Sequence, residues 1–199
     1  METEAEFEVP TWSQIYAMLL SQAEKIRGSG FKPDVIVSLT RGGWIPARVL
    51  SDLLEIPDLA VVRVEFYLSV AETRNEPVLT QGVFAVVEDK KVLLVDDVAD
   101  TGKSLQLARE HIRQKGATEV RIATVYRKPF SAITPDYYEK ETRRWVVFPW
   151  DAKETLRKIV EKYRDKKAVK AEAAKLVKAG LPKQLVEAFL KETVEAENC

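Results

Sequence analysis

The chain of 199 residues contains one cysteine, Cys199, at its last position. Disulfides therefore do not hold this fold together. An excess of either charge is missing too, since 31 Lys and Arg balance 31 Asp and Glu. No global field would draw such a chain onto nucleic acid or an anionic membrane. Apolar runs of bilayer-spanning length are absent, and Met1–Glu8 is acidic where a secretory leader would be basic. A cytoplasmic protein is the expectation, with neither membrane nor nucleic acid as partner. Asparagine appears only at Asn75 and Asn198, while Lys and Glu are abundant, a bias reported for heat-adapted (thermophilic) proteins. Internal repeats and low-complexity linkers are also lacking.

What is present is a patterned chain, 46% hydrophobic and 31% charged, long enough for one full domain and a modest appendage. Thr11-Trp12-Ser13-Gln14 has the form of a capping box, in which the threonine oxygen and the glutamine side chain satisfy each other's backbone amides. Ile15, Met18, Leu19, Gln22 and Ile26 follow at helical spacing, and Gly28–Gly30 ends the helix. The period then changes. Asp34–Leu39 predicts a strand, Thr40–Gly43 a polar turn, Ile45–Leu54 a helix and Leu59–Phe66 a strand. Ser69–Gln81 is polar without a clear period and predicts a mobile loop. Val83–Val87 and Val92–Val95 predict strands, Lys103–Lys115 a helix and Val120–Tyr126 a strand.

Unbroken apolar strands alternating with helices imply an α/β fold, a mainly parallel twisted sheet flanked by helices. Ligands of such sheets sit beyond the carboxyl ends of the strands, where Thr40–Gly43 and Asp96–Ser104 lie. After Pro149-Trp150 the pattern is wholly helical. Leu156, Ile159, Val160 and Tyr163 form one stripe, Val169, Ala173, Leu176 and Val177 a second, and Leu185, Phe189 and Leu190 a third. Gly180 suits a left-handed C-cap and Pro182 the first turn of a new helix. The expected organisation is a domain over residues 1–150 and a three-helix appendage over 151–199.

The stretch VLLVDDVADTGKS, residues 92–104, joins an apolar strand to two carboxylates, a short turn and a helix start. Thr101, Gly102, Lys103 and Ser104 present backbone amides at a helix N-terminus, where the macrodipole favours a phosphate. Gly102 allows close approach of the backbone, and the hydroxyls of Thr101 and Ser104 add donors. Asp96 and Asp97 repel phosphate but can accept hydrogen bonds from two vicinal ribose hydroxyls. A 5-phosphorylated ribose fits both halves. In the second turn, Arg41 offers a forked donor set to a diphosphate, and Gly42 and Gly43 leave room for it beside Thr40. An Arg-Gly-Gly by itself is usually an ordinary turn.

Together the thirteen-residue pattern resembles the signature of the type I phosphoribosyltransferases. Thr40-Arg41-Gly42-Gly43 resembles the pyrophosphate loop of the bacterial xanthine-guanine enzymes, a loop that often carries a non-proline cis peptide in this family. The resemblance spans residues 9 to 151 and includes Thr11-Trp12, Arg127-Lys128-Pro129 and Trp145–Asp151. It implies transfer of phosphoribose from phosphoribosyl pyrophosphate (PRPP) to a purine, releasing pyrophosphate. It further implies Asp100 as general base facing the purine N7, Lys128 at the six-position substituent, Trp145 stacked on the base, and the Val146 backbone at the base edge. Mg²⁺ is the implied cofactor, with Asp97 and Asp151 near it through water, and a homodimer the implied assembly. Read alone, Lys128 would be a surface lysine and Trp145 a core tryptophan.

Two features divide on the base. Asp100 and Lys128 match the 6-oxopurine enzymes, whereas the helical appendage resembles an extension in archaeal adenine enzymes built on that scaffold. The expected reaction is adenine to AMP, in purine salvage; the alternative is a hypoxanthine, guanine or xanthine enzyme. A PRPP-sensing regulator that binds nucleic acid would carry a basic face, which the balanced charge opposes. A pyrimidine enzyme is disfavoured by the Trp145 segment.

Overall fold

The computed structural model describes residues 7–67, 76–163 and 165–197. The chain divides into two compact units. One is Tyr16–Arg143; the other combines the described residues up to Ile15 with those from Arg144 onward. That division falls ahead of position 150 and adds the N-terminal segment to the helical part.

The larger unit is built on a six-stranded sheet. In chain order the elements are β1 (Phe7–Glu8, of the other unit), α1 (Trp12–Gly28), β2 (Val35–Thr40), α2 (Trp44–Leu53), β3 (Leu59–Tyr67), β4 (Glu76–Gln81), β5 (Lys91–Ala99), α3 (Lys103–Gln114), β6 (Glu119–Arg127) and β7 (Tyr137–Glu141). The strands lie in the order β4-β3-β2-β5-β6-β7, and every neighbouring pair is parallel except β3 with β4. This is the expected mostly parallel α/β fold flanked by helices.

The apolar runs read as strands because both faces are buried. Val35, Val37 and Leu39 of β2, Val92 and Leu94 of β5, and Val120 and Ile122 of β6 share one core with Leu105, Ala108 and Ile112 of α3. The alternate residues Ile36, Leu93 and Val95 are equally buried and point the other way, where α2 packs on β2 and β5. In α1 the capping box forms as read: Thr11 N–H donates to Gln14 Oε1 at 2.8 Å and Gln14 N–H to Thr11 Oγ1 at 3.2 Å. Gln22, in the middle of the apolar stripe, is fully buried because its amide donates to the Thr124 and Tyr137 carbonyls at 2.8 and 3.3 Å.

Three expectations require correction. Part of the supposed loop Ser69–Gln81 is β4, an edge strand whose Pro77 pairs with Phe66; only an edge tolerates a proline there. The remainder of that loop lies in 68–75, outside the described residues. Val83–Val87 is not a strand. To travel from edge β4 to central β5 the chain crosses the α3 face, burying Val83 and Val87 in the core. The Val83 amide is met by a side chain, His111 Nε2 at 3.2 Å, instead of a neighbouring strand. Third, β5 continues to Ala99, so Asp96 and Asp97 belong to the strand and do not follow it.

The smaller unit pairs β1 in parallel with β8 (Trp145–Val146) and continues into α4 (Ala152–Lys162), α5 (Lys166–Lys178) and α6 (Lys183–Glu197). Leu156 and Ile159 of the first expected stripe and Ala173 and Leu176 of the second form a buried core with Val147, Leu181 and Val186. Leu185, Phe189 and Leu190 of the third stripe pack half-buried against it. Gly180 (φ +118°) turns the chain after α5. Leu181 N–H reaches Leu176 C=O and Gly180 N–H reaches Val177 C=O, both at 3.0 Å, the paired bonds of a Schellman cap. No described helix is long and apolar enough to cross a membrane.

Candidate phosphate and base site

Strands β2 and β5 are neighbours, with Val35 opposite Val92 and Ser38 opposite Val95. Their carboxyl ends therefore bring the two polar turns together, as sheet topology requires. Thr40 is tied to β3 by its hydroxyl, which donates to the Val62 carbonyl at 3.1 Å. The Thr40–Arg41 peptide is cis. Gly43 then caps α2 and Gly102 caps α3, and at neither helix does a cap side chain bond the first-turn amides. Two helix N-termini without side-chain caps are suited to receive anions.

Among the expected phosphate ligands, Arg41 and Thr101 are exposed, while Thr40, Gly42, Lys103 and Ser104 are half-buried and Gly102 is buried. Gly102 adopts φ +83°, a left-handed conformation that strains any residue with a Cβ. Lys103 N–H approaches Thr101 Oγ1 at 3.4 Å, and its ammonium lies 3.2 Å from Glu76 Oε1 at the start of β4. Asp96 is half-buried and accepts from the Asp97 amide at 2.9 Å, and Asp100 is exposed at the mouth of the turn. Asp97 is only 7% exposed, so it is no solvent-facing strand end. It lies under Gly42, where a Cβ would stand 2.5 Å from its Oδ2.

Lys128 is 6% exposed, which excludes an ordinary surface lysine. Its amide donates to the Ala99 carbonyl at 2.9 Å, fixing it beside the head of the phosphate turn. In the smaller unit Trp145 is 50% exposed, which excludes a core tryptophan. Val146 is half-buried beside it, and Asp151 stands at the N-cap of α4 with its carbonyl accepting from Thr155 N–H at 2.8 Å. Two aromatics of this segment meet each other and a third from the N-terminal part of the same unit. Trp150 stacks on Phe148 at 4.8 Å and meets Trp12 at 5.4 Å.

Sequence reasoning also missed Ser131–Ile133, which packs on Gly102, and nothing in the chain's pattern marks that contact. Among the described residues no group of three or more His, Cys, Asp or Glu is placed to hold a metal ion by itself. The donors that are present, Asp96 and Asp97, are hard oxygens, which fit a Mg²⁺ that keeps most of its shell from water and phosphate oxygens.

A mostly parallel sheet with two glycine-capped helix N-termini beside paired carboxylates defines an α/β protein with its polar turns gathered at the carboxyl ends of the strands. The chain belongs to the phosphoribosyl transferase domain family, whose profile matches residues 11–156. It is 30% identical over 148 residues to a xanthine-guanine phosphoribosyltransferase of Cereibacter sphaeroides, covering 71% of this chain and 84% of that one. A xanthine-guanine phosphoribosyltransferase of Gluconobacter oxydans is 31% identical over 145 residues, covering 71% and 82%. The solved purine phosphoribosyltransferase of Pyrococcus horikoshii shares 41% identity at a TM-score of 0.67, covering 73% of this chain and 93% of that one. The fold is that of the type I phosphoribosyltransferases.

Proposed function

We propose that this protein transfers the phosphoribosyl group of PRPP to a 6-oxopurine of the hypoxanthine, guanine or xanthine type. The observation that carries this reading is Lys128, buried and bonded through its amide to the head of the phosphate turn. An ammonium donates and never accepts, so it suits a carbonyl oxygen at the purine six-position and mismatches an amino group. The names of the relatives support the same choice. The expectation of adenine rested on the helical appendage, most of which lies beyond the matched residues.

In this reading the amides of Thr101–Ser104 and the α3 N-terminus hold the 5-phosphate. Asp96 and Asp97 accept from the ribose hydroxyls, and Arg41 with Thr40 and Gly42 holds the diphosphate. The bond between the sugar C1 and a pyrophosphate oxygen breaks, the bond from C1 to a ring nitrogen forms, and the pyrophosphate leaves with the electron pair. Asp100 takes the proton released from the purine ring. The protein's part is positioning and stabilisation of charge at an oxocarbenium-like centre. Bound Mg²⁺ would neutralise pyrophosphate charge, with Asp97 near it through water, and the resemblance gives Asp151 the same outer role. Trp145 and the Val146 backbone would stack on and read the base, and a homodimer belongs to the same proposal.

Incubation with PRPP, Mg²⁺ and adenine, hypoxanthine, guanine, xanthine or orotate in turn tests the reading. Turnover of 6-oxopurines in preference to adenine is expected. Preference for adenine would restore the earlier expectation, and no turnover of any base would leave a binding protein.

A further inference from the structure

A short segment after β6 grips the phosphate turn from behind. Lys128 N–H donates to Ala99 C=O at 2.9 Å, Ser131 N–H to Lys128 C=O at 3.0 Å, and Ala132 N–H to Thr101 C=O at 3.0 Å. A Cβ built on Gly102 would meet Ser131 Oγ and Ile133 N at 2.8 Å and Ala132 N at 3.3 Å. Ile133 is 6% exposed and shares the core that holds Leu105 of α3. Three successive residues thus close around one left-handed glycine.

The Ser131 hydroxyl oxygen is buried and has no hydrogen-bond partner. A buried hydroxyl left unpaired does not strengthen the fold, so Ser131 acts here by its small size. It leaves room for the turn at Gly102 and fills what remains.

We propose that Ser131, Ala132 and Ile133 are positioning residues, forming a bracket that couples the Lys128 base contact to the phosphate turn. The proposal rests on the purine reading above. Lys128 stands at one end of the bracket, and its own carbonyl holds Ser131. A shift of Lys128 on meeting a purine is passed to Ser131 and then to Gly102, whose φ sets the direction of the amides at the head of α3. Occupancy at Lys128 therefore tightens a phosphate ligand, and the phosphate tightens the purine by the same factor.

The test uses an unreactive pair, ribose 5-phosphate and hypoxanthine, which lacks a pyrophosphate leaving group. Calorimetry gives the Kd of ribose 5-phosphate with and without saturating hypoxanthine. In the wild type the sugar phosphate should bind at least about fivefold tighter with the purine present. Ser131→Ala, which removes only an unpaired oxygen, should keep that factor. Ser131→Val, which overfills the contact with Gly102, should bring it to near one. A factor of one in the wild type, or an unchanged factor in Ser131→Val, would overturn the proposal.

Hydrogen exchange of the wild type provides a readout that needs no variant to fold. The Ala132 amide should exchange several-fold more slowly with either ligand alone, and an indifferent amide counts against the bracket. Turnover of hypoxanthine with PRPP is measured beside these. Its absence strikes the purine reading, whereas turnover with a factor of one strikes the bracket alone.

Discussion

Gly42 and Asp97 share one space: a Cβ on Gly42 would lie 2.5 Å from Asp97 Oδ2 and 2.6 Å from its Cγ. The turn after β2 is thereby seated on a carboxylate within the last residues of β5, two positions before Ala99 ends the strand. Gly42→Ala must push the buried carboxylate aside. The fold should survive, because a side chain yields, while PRPP affinity falls tenfold or more. Gly43→Ala meets the backbone carbonyls of Val95 and Leu39, which cannot yield, and overpacking of that kind costs about 1–3 kcal/mol. Thermal melts with PRPP calorimetry on both variants check the contrast; equal affinity loss at equal stability would contradict it.

Asp100→Asn should leave PRPP binding near wild type and lower kcat by about a hundredfold, the scale of general base catalysis. The exposed position of Asp100 means that the substitution disturbs no packing. Single-turnover rates isolate the chemical step, and an unchanged rate removes Asp100 from proton transfer.

Lys128→Met keeps most of the buried volume and removes the donor. A hydrogen bond to a charged group contributes about 1.5–3 kcal/mol, so the KM for hypoxanthine or guanine should rise by about 10- to 100-fold. PRPP binding should be spared. Base competition measured by initial rates decides this, and an equal loss with adenine would detach Lys128 from the six-position.

His111 titrates below its ordinary value, first because burial disfavours the imidazolium and second because Lys115 repels it. As the neutral ring it accepts the Val83 amide. The unfolded chain therefore binds this proton more readily than the folded one. The stabilisation is complete above about pH 6.5, declines as pH falls below that, and is lost beneath the folded value. Denaturant midpoints between pH 5 and 8 should show this slope, and His111→Gln should flatten it while still accepting from Val83. A slope that survives the substitution belongs to other groups.

Leu176 is fully buried at the centre of the smaller unit. Leu176→Ala should destabilise the unit by about 2–5 kcal/mol, as large-to-small changes in cores do. Loss of α5 and α6 amide protection in hydrogen exchange is the measure, and unaltered protection would mean that the three helices do not depend on their shared core.

The sequence alone determined the class of fold and the position of the two polar turns. Strand–helix alternation, the capping box at Thr11–Gln14, the glycine-opened turns at 40–43 and 100–104, and the three apolar stripes are all local patterns. Local backbone preference and the burial of one face suffice to produce them. Tertiary structure alone decided which polar residues are buried. Nothing around Asp97 or Lys128 in the chain foretells that Gly42 covers the first or that the second is enclosed beside Ala99. The same holds for β4, a strand because β3 offers it an edge, and for Val83–Val87, denied strand pairing because the path to β5 crosses α3. Ser131 lies 29 positions from Gly102, and its contact arises only when β6 is laid beside β5. Contacts between residues far apart in sequence are set by packing, and packing leaves no periodic mark on the chain.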